Sequence, residues 1–409
     1  ASAGYEAYSI LNYGIDRNGN FLPVFLVAWG SGQNALLTYL IIPFIRVFGL
    51  SVLSVRLPMV IISSISLIVI YKLLNKIGNK KLAIIGLSLL VISPWHIMKS
   101  RWGLESNLFP DLILLFVYML ISGLESNNKL LYYSSFIIAG ISAYAYGTSY
   151  YFLPVFIIPL LIMLIRKKHI KFSSGVISLG IVGLISLPII LYVLINTLGM
   201  NQINLPFMTI PVLDVNRYES ITSIFSSSFV FESVKNILKC LSILVFQSDG
   251  LAWNNIFPYG IVYVSSIVFT FIGIINSFKK NKIIELKYNY LFNIWFIVSI
   301  VLSLIVPPNI NRLNILMIPI IIYTIEGIYI VLELANNKKK VGLTFTLMYL
   351  VMFILFLTQY CNQDYNEFST FEAGLDKPIK YVKDINKDIY ITKSIKMPYI
   401  YTLFYTEYD

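Results

Sequence analysis

From about residue 50 to residue 358 the chain alternates apolar runs with short polar breaks, and that alternation predicts its elements. Runs at 54–74, 82–95, 108–124, 130–147, 150–165, 174–197, 259–277, 289–306, 313–334 and 341–358 approach the length needed to cross the bilayer. A helix needs roughly 20 residues for about 30 Å of hydrocarbon. The alternating segments of about 10 residues that mark a membrane β-barrel are missing. The pattern predicts an all-α polytopic membrane protein with about ten transmembrane helices. Ala35–Phe48 is apolar but short and carries Pro43 and Arg46, so it reads as an interfacial helix. Three stretches remain polar: the opening 1–34, a long loop at 199–258 and a tail at 359–409. In the opening stretch, Ala3–Tyr13 reads as a short helix at the membrane surface, followed by a loop with Gly14, Gly19 and Pro23. The tail reads as the start of a small α/β extracytoplasmic domain. It has an amphipathic helix near Phe371–Lys383, a strand at Asp388–Thr392 and an aromatic run at Tyr399–Tyr405. The domains are therefore a transmembrane unit, 1–358, and a partial outer unit, 359–409.

Composition supports this division. Hydrophobic residues make up 57% of the chain and charged residues 12%, against about 25% charged in a soluble domain. The net charge of +11 does not point to nucleic acid, because basic residues collect in the cytoplasmic loops of membrane proteins. With 72–81 taken as cytoplasmic, strict alternation puts 125–129, 166–171, 279–287 and 336–340 on the same side. Those segments hold the basic clusters between spans. The opening stretch, the 96–107 turn, the long loop, the 307–312 turn and the tail then face outward. Cys240 and Cys361 both fall outside and lack metal-ligand spacing; two free thiols are favoured over a disulfide.

Polar groups at a membrane surface require a reason. The outward candidates are Glu6, Asp16 and Arg17 in the opening stretch and Arg56 at the head of the first span. His96, Lys99, Arg101, Glu105 and Asn107 follow in the second outer turn, then Asp249, Asn254, Asn255 and Tyr259. Each has a plainer reading. Asp16 in GIDRNGN suits a turn, Arg56 can snorkel, and Arg101 with Glu105 has the spacing of a helical ion pair. His96 suits a hydrogen-bonded interfacial side chain, and the loop aromatics suit interfacial packing. Taken together they describe an outward cavity with acids and arginines beside lipid. That combination suits transfer from a lipid-linked sugar phosphate: an acid takes the acceptor's proton and arginine stabilises the departing phosphate. No phosphate-binding P-loop, paired-histidine metal motif or G-x-S-x-G competes.

Four segments carry a resemblance to a known family: ASAGYEAYSILNYGIDRNG, GQNALLTYLIIPFIRVFGLSVLSVRLP, SPWHIMKSRWGLESNLFPD and DGLAWNNIFPYG. They resemble the GT-C membrane glycosyltransferases of the protein O-mannosyltransferase and aminoarabinose-transferase type (glycosyltransferase family 39-like). The resemblance implies a first span ending in an Asp-Glu pair directly before Ala1, whose Asp is the catalytic base. Glu6 and Asp16 then lie near the site without matching that base, and the chain as given is expected to be truncated at both ends and inactive, with eleven or more spans in the full length. The resemblance assigns Arg56 and Arg101 to donor phosphate. His96, Lys99, Glu105, Asn107, Asp249, Asn254 and Tyr259 line the site. The implied activity is an inverting transfer from a polyprenyl-phosphate sugar to a lipid, glycan or protein acceptor. It would occur on the outer face of a bacterial cell membrane, among membrane lipid, with no cofactor or metal. The alternatives are a transporter or flippase, or a ligase, for lipid-linked glycans; a transporter would more often show inverted repeats.

Overall fold

The computed structural model describes residues 1–28, 31–214, 228–251, 253–361, 374–383, 385, 388–392, 394–395 and 397–408. The chain opens with helix α1 (Ser2–Tyr13), which ends at Gly14 in the left-handed region, φ 72°, where the glycine amide donates to the Ile10 carbonyl. Only glycine adopts that conformation without a Cβ penalty. A short antiparallel hairpin follows, β1 (Phe25–Ala28) with β2 (Ser31–Asn34), with Phe25 opposite Asn34. The interfacial candidate is helix α2 (Leu36–Phe48).

The apolar body consists of α3 (Val52–Ile77), α4 (Lys80–Ile92), α5 (Pro94–Ser100), α6 (Glu105–Glu125), α7 (Lys129–Ile141), α8 (Ser149–Arg166) and α9 (Phe172–Leu198). After hairpin β3 (Ile203–Leu205) and β4 (Met208–Ile210) come α10 (Phe229–Phe246), α11 (Ser266–Phe278), α12 (Asn289–Ile305), α13 (Asn314–Leu334) and α14 (Lys338–Cys361). Two short helices complete the described chain, α15 (Asp376–Val382) and α16 (Pro398–Thr406). The body is held by close approach as well as by apolar contact. A Cβ on Gly273 of α11 would come to 1.9 Å from the Tyr323 carbonyl oxygen of α13. A Cβ on Gly327 would meet Phe269 O at the same distance. With two glycines facing each other, the helices approach to backbone contact, and Thr270 and Thr324 hydroxyls bond across the seam at 2.7 Å.

The expected basic face forms one end of the bundle. Lys76 and Lys287 both pair with Glu125, at 3.2 and 3.6 Å, while Lys81 and Lys338 pair with Glu333. The His169 ring stands 5.3 Å from that of Tyr288. These contacts gather the basic loops at one end, as the positive-inside pattern requires.

The span count differs from expectation. Among the described residues six helices are long and apolar enough to cross a membrane: α3, α6, α8, α9, α13 and α14. The bent pair α4 and α5, at 59°, makes a seventh. The other predicted spans are shorter helices, and local chemistry explains two of them. The 130–147 run leaves the α-helix at Ser142 for a single 3₁₀ turn and then a glycine break. The 259–277 run is helical only from Ser266. Ahead of it the Gln247 side chain accepts the Ile261 and Val262 amides, both at 3.0 Å, and holds them outside the helix. The long loop contains α10, whose Asn236 donates to the Leu304 carbonyl at one end of α12.

The opening helix is covered rather than lying on the surface. Gly4 packs against Val55 of α3 and Phe404 of α16, and the Tyr5 hydroxyl donates to the Tyr408 carbonyl. The tail also departs from expectation. Asp388–Thr392 is irregular, not a strand, because no neighbouring strand supplies the ladder that an isolated extended segment needs. The aromatic run at 399–405 is helical and docks on α1, so among the described residues the tail has no sheet. Of the predicted helix near Phe371–Lys383, residues 371–373 lie outside the described residues; the rest contains α15. Cys240 and Cys361 are free thiols, the first buried and the second exposed.

Candidate functional site

The end opposite the basic loops holds most of the chemistry. At Asn79 and Ser93, side chains cap α4 and α5. The kink between those helices turns the 94–107 segment across the bundle top. Arg101, just past α5, is exposed, and its guanidinium carbon stands 4.9 Å from the Tyr360 ring centroid. Tyr360 is in the last turn of α14. Arg56, in the first turns of α3, is also exposed, and its charge acts on the same Tyr360 hydroxyl that Arg101 reaches. The Arg56 charge also reaches Tyr405 of α16 and the head of α1 at Ala1. Two exposed arginines distant in sequence thus stand at the same end of the bundle, Arg101 against the Tyr360 ring, and among the described residues neither has an ion-pair partner. Exposed guanidinium groups without a carboxylate suit an anion, since their planar donors match phosphate oxygens.

The outer loop 249–260 meets the same helix end. Tyr259 packs edge-on against Phe356, and Gln359 donates to the Phe257 carbonyl. Asp249 does not reach the arginines. It accepts from the Leu251 and Ile310 amides and from the Asn254 side chain, at 3.0, 2.8 and 2.6 Å, tying the loop to the 307–312 turn. Asn254 and Asn255 are buried within that loop; Asn255 accepts from Ser248.

The acids of the opening stretch separate. Asp16 is the turn residue of the plainer reading: it accepts the Asn18 and Asn20 amides, both at 2.9 Å, and the Asn20 side chain. Glu6 is fully buried and pairs with Arg17, Nε to Oε1 at 2.9 Å, while accepting the Arg17 amide at 3.1 Å. Burial pushes its carboxyl up from 4.5 to about 7, against the opposing pull of the Arg17 charge and amide. Beside it, the opening loop and α16 enclose a cavity of about 720 Å³.

The second outer turn divides in two. His96 and Lys99 point inward. His96 Nε2 lies 3.1 Å from Ser66 Oγ, and Lys99 pairs with Asp111 at 2.5 Å beneath the Trp95 ring. Asp111 also accepts from Ser63 at 3.3 Å. This cluster is sealed inside the bundle. Glu105 turns away from Arg101 and accepts the Asn34 amide, while Asn34 donates to the Tyr150 hydroxyl. Asn107 braces the turn through the Lys99 and Trp102 carbonyls and accepts from Asn314, which in turn accepts from Trp95. Tyr360 and Asp111 are the residues that sequence reasoning passed over. Asp111 carried a usable signal, a carboxylate within an apolar run. Tyr360 carried none, because it stands just beyond the predicted end of its span. Among the described residues no three of His, Cys, Asp and Glu converge as metal ligands.

Residues 34–206 match the family model of dolichyl-phosphate-mannose-protein mannosyltransferase. The fold is similar to that of ArnT from Cupriavidus metallidurans, solved with undecaprenyl phosphate, at TM-score 0.53 and 10% identity over 95% of this chain and 61% of that one. It is also similar to the Archaeoglobus fulgidus oligosaccharyltransferase solved with zinc and sulfate, at 0.57 and 14%, covering 95% and 52%. The archaeal oligosaccharyltransferase AglB from Archaeoglobus fulgidus, in complex with an inhibitory peptide and a dolichol-phosphate, matches at 0.52 and 14%, covering 97% and 56%. The chain thus spans 52–61% of the length of these structures. No curated protein matches by sequence.

Proposed function

The chain has the fold of the GT-C superfamily of membrane glycosyltransferases, and on that premise we propose that it transfers a sugar from a polyprenyl-phosphate carrier to an acceptor. The reaction takes place at the bundle end opposite the basic loops. The observation that carries this reading is a pair of exposed arginines, Arg56 and Arg101, at one end of the bundle, the second against Tyr360, with no ion pair to either among the described residues. The donor phosphate bridges the two guanidinium groups, which stabilise the charge that grows on it as the glycosidic C–O bond breaks. The acceptor hydroxyl loses its proton to a carboxylate and attacks the anomeric carbon from the opposite face, so one displacement inverts the centre. By resemblance that base is an Asp, and the first turn of α1 packs beside Arg56, with Gly4 against Val55. Tyr259 and the 249–260 loop form the site wall behind Tyr360. The cell membrane of a bacterium is the setting this reading implies.

The test is transfer of a radiolabelled sugar from polyprenyl phosphate by the full-length protein in membranes. A hydrogen bond to a charged group is worth about 1.5–3 kcal/mol, so each arginine accounts for roughly a 10- to 100-fold effect. Arg56→Ala with Arg101→Ala is expected to reduce transfer by at least about 100-fold, and single lysine replacements to fall between. Transfer by the double variant at the wild-type rate would sink the phosphate assignment.

A further inference from the structure

We propose that the cavity between the opening loop and α16 is a subsite for a pyranose ring of an acceptor glycan, a reading that rests on the transfer function above. The cavity's volume of about 720 Å³ is in the range of small-molecule sites. Its walls combine the two surfaces that a sugar needs. Tyr13, Tyr399 and Tyr408 line it and are 51, 47 and 66% exposed as residues, and their rings are flat apolar faces of the kind that suits the C–H side of a pyranose. Asn18 and Asp214 supply acceptors, and Asn18 a donor, for the hydroxyl rim. Asp16 spends its oxygens on three turn contacts, which fixes it as a rigid edge of the cavity. The two lining carboxylates disfavour a phosphorylated or otherwise anionic acceptor. Arg17, the one lining cation, is paired with Glu6 beneath the floor, its guanidinium carbon 5.8 Å from the Tyr399 ring centroid.

The cavity also has the right neighbour. Helix α1 runs from the Arg56 cluster at Ala1 to the cavity at Tyr5, Ser9 and Tyr13. At 1.5 Å per residue the two features are separated by about 6–18 Å along that helix. Helix α16 repeats the relation: Tyr405 is within reach of Arg56, while Tyr399 and Leu403 line the cavity. Donor phosphate and acceptor ring thus share one surface. This selects a glycan from among the possible acceptors.

The experiment is direct binding to the full-length protein in nanodiscs, by calorimetric titration and saturation-transfer NMR. The probes are methyl hexopyranosides, neutral disaccharides and a serine- and threonine-rich peptide of similar mass. A disaccharide is expected to bind in preference to the peptide. Tyr13→Ala or Tyr399→Ala should each weaken it about tenfold, the worth of one aromatic contact, and tryptophan at either position should restore it. Gly180→Ala, whose added Cβ would meet nothing within 4 Å, should leave saccharide affinity unchanged. Binding of the peptide alone, no binding by any saccharide, or saccharide affinity indifferent to both tyrosines would overturn the subsite. Arg101-dependent release of sugar from the donor, measured on the same preparation, reports on the transfer reading separately and would survive that failure.

Discussion

A carboxylate sealed beside an arginine answers to pH differently from one in water. Glu6 ordinarily ionises near 4.5, and burial raises it to about 7 in the folded chain. Between those values the folded state holds a proton that the unfolded state has released. Stability therefore falls as pH rises from about 4.5 to about 7 and is level above that window. Thermal unfolding of the purified protein measured from pH 4 to 8 should show this decline, and Glu6→Gln should flatten that segment. A slope unchanged by the substitution would contradict the assignment. Such a response was not legible in the sequence, which marks Glu6 and Asp16 only as two acids in an aromatic setting. What separates them is tertiary: α2, α3 and α16 close over α1, while Asp16 keeps to its own turn. The arginines were legible in kind but not in partnership. Arg56 and Arg101 stand out as outer cations, whereas Tyr360, against which Arg101 stands, is an ordinary aromatic at a span end. Asp111 could have been read from its place in an apolar run, as the partner of Lys99, which stands among the outward candidates.

At the scale of elements, apolar length was a sound guide where a single helix fills the run. The segments 54–74, 108–124, 150–165, 174–197, 313–334 and 341–358 all became long helices. It was a poor guide where a side chain outside the run takes its backbone amides, as Gln247 does before α11. The β1–β2 hairpin went unread because its second strand, SGQN, has no strand-like alternation; it is fixed by its pairing and by Glu105 on the Asn34 amide. The tail strand failed for the converse reason, alternation without a partner. The α11–α13 seam shows how strict helix contact is. Adding even one carbon at Gly273 forces two backbones apart, since the obstacle is the Tyr323 carbonyl and not a movable side chain. Gly273→Val should destabilise the protein by about 1–3 kcal/mol or more, read as a lower unfolding temperature in detergent. Gly180, with nothing within 4 Å of a Cβ, should tolerate alanine with little change. Equal responses at the two positions would contradict the close-packed seam.

The whole molecule is polarised. Basic loops bound through Glu125 and Glu333 occupy one end, and arginines without ion pairs among the described residues stand at the other. The first end was readable from charge alternation alone. The second required the fold, because Arg56, in the first turns of α3, and Arg101, just past α5, come to the same end only in the folded bundle. Both ends are cationic, so charge by itself does not say where a phosphate goes. Geometry favours the arginine end: at the basic end Lys76, Lys81, Lys287 and Lys338 pair with glutamates and Lys167 stacks on Tyr290. The most direct measurement is therefore the affinity of the purified full-length protein for polyprenyl phosphate, in the wild type and in two double variants. Arg56→Ala with Arg101→Ala should weaken binding by roughly 100-fold or more, while Lys167→Ala with Lys287→Ala should leave it near the wild-type value. Equal binding by the arginine variant, or loss only in the lysine variant, would contradict the account.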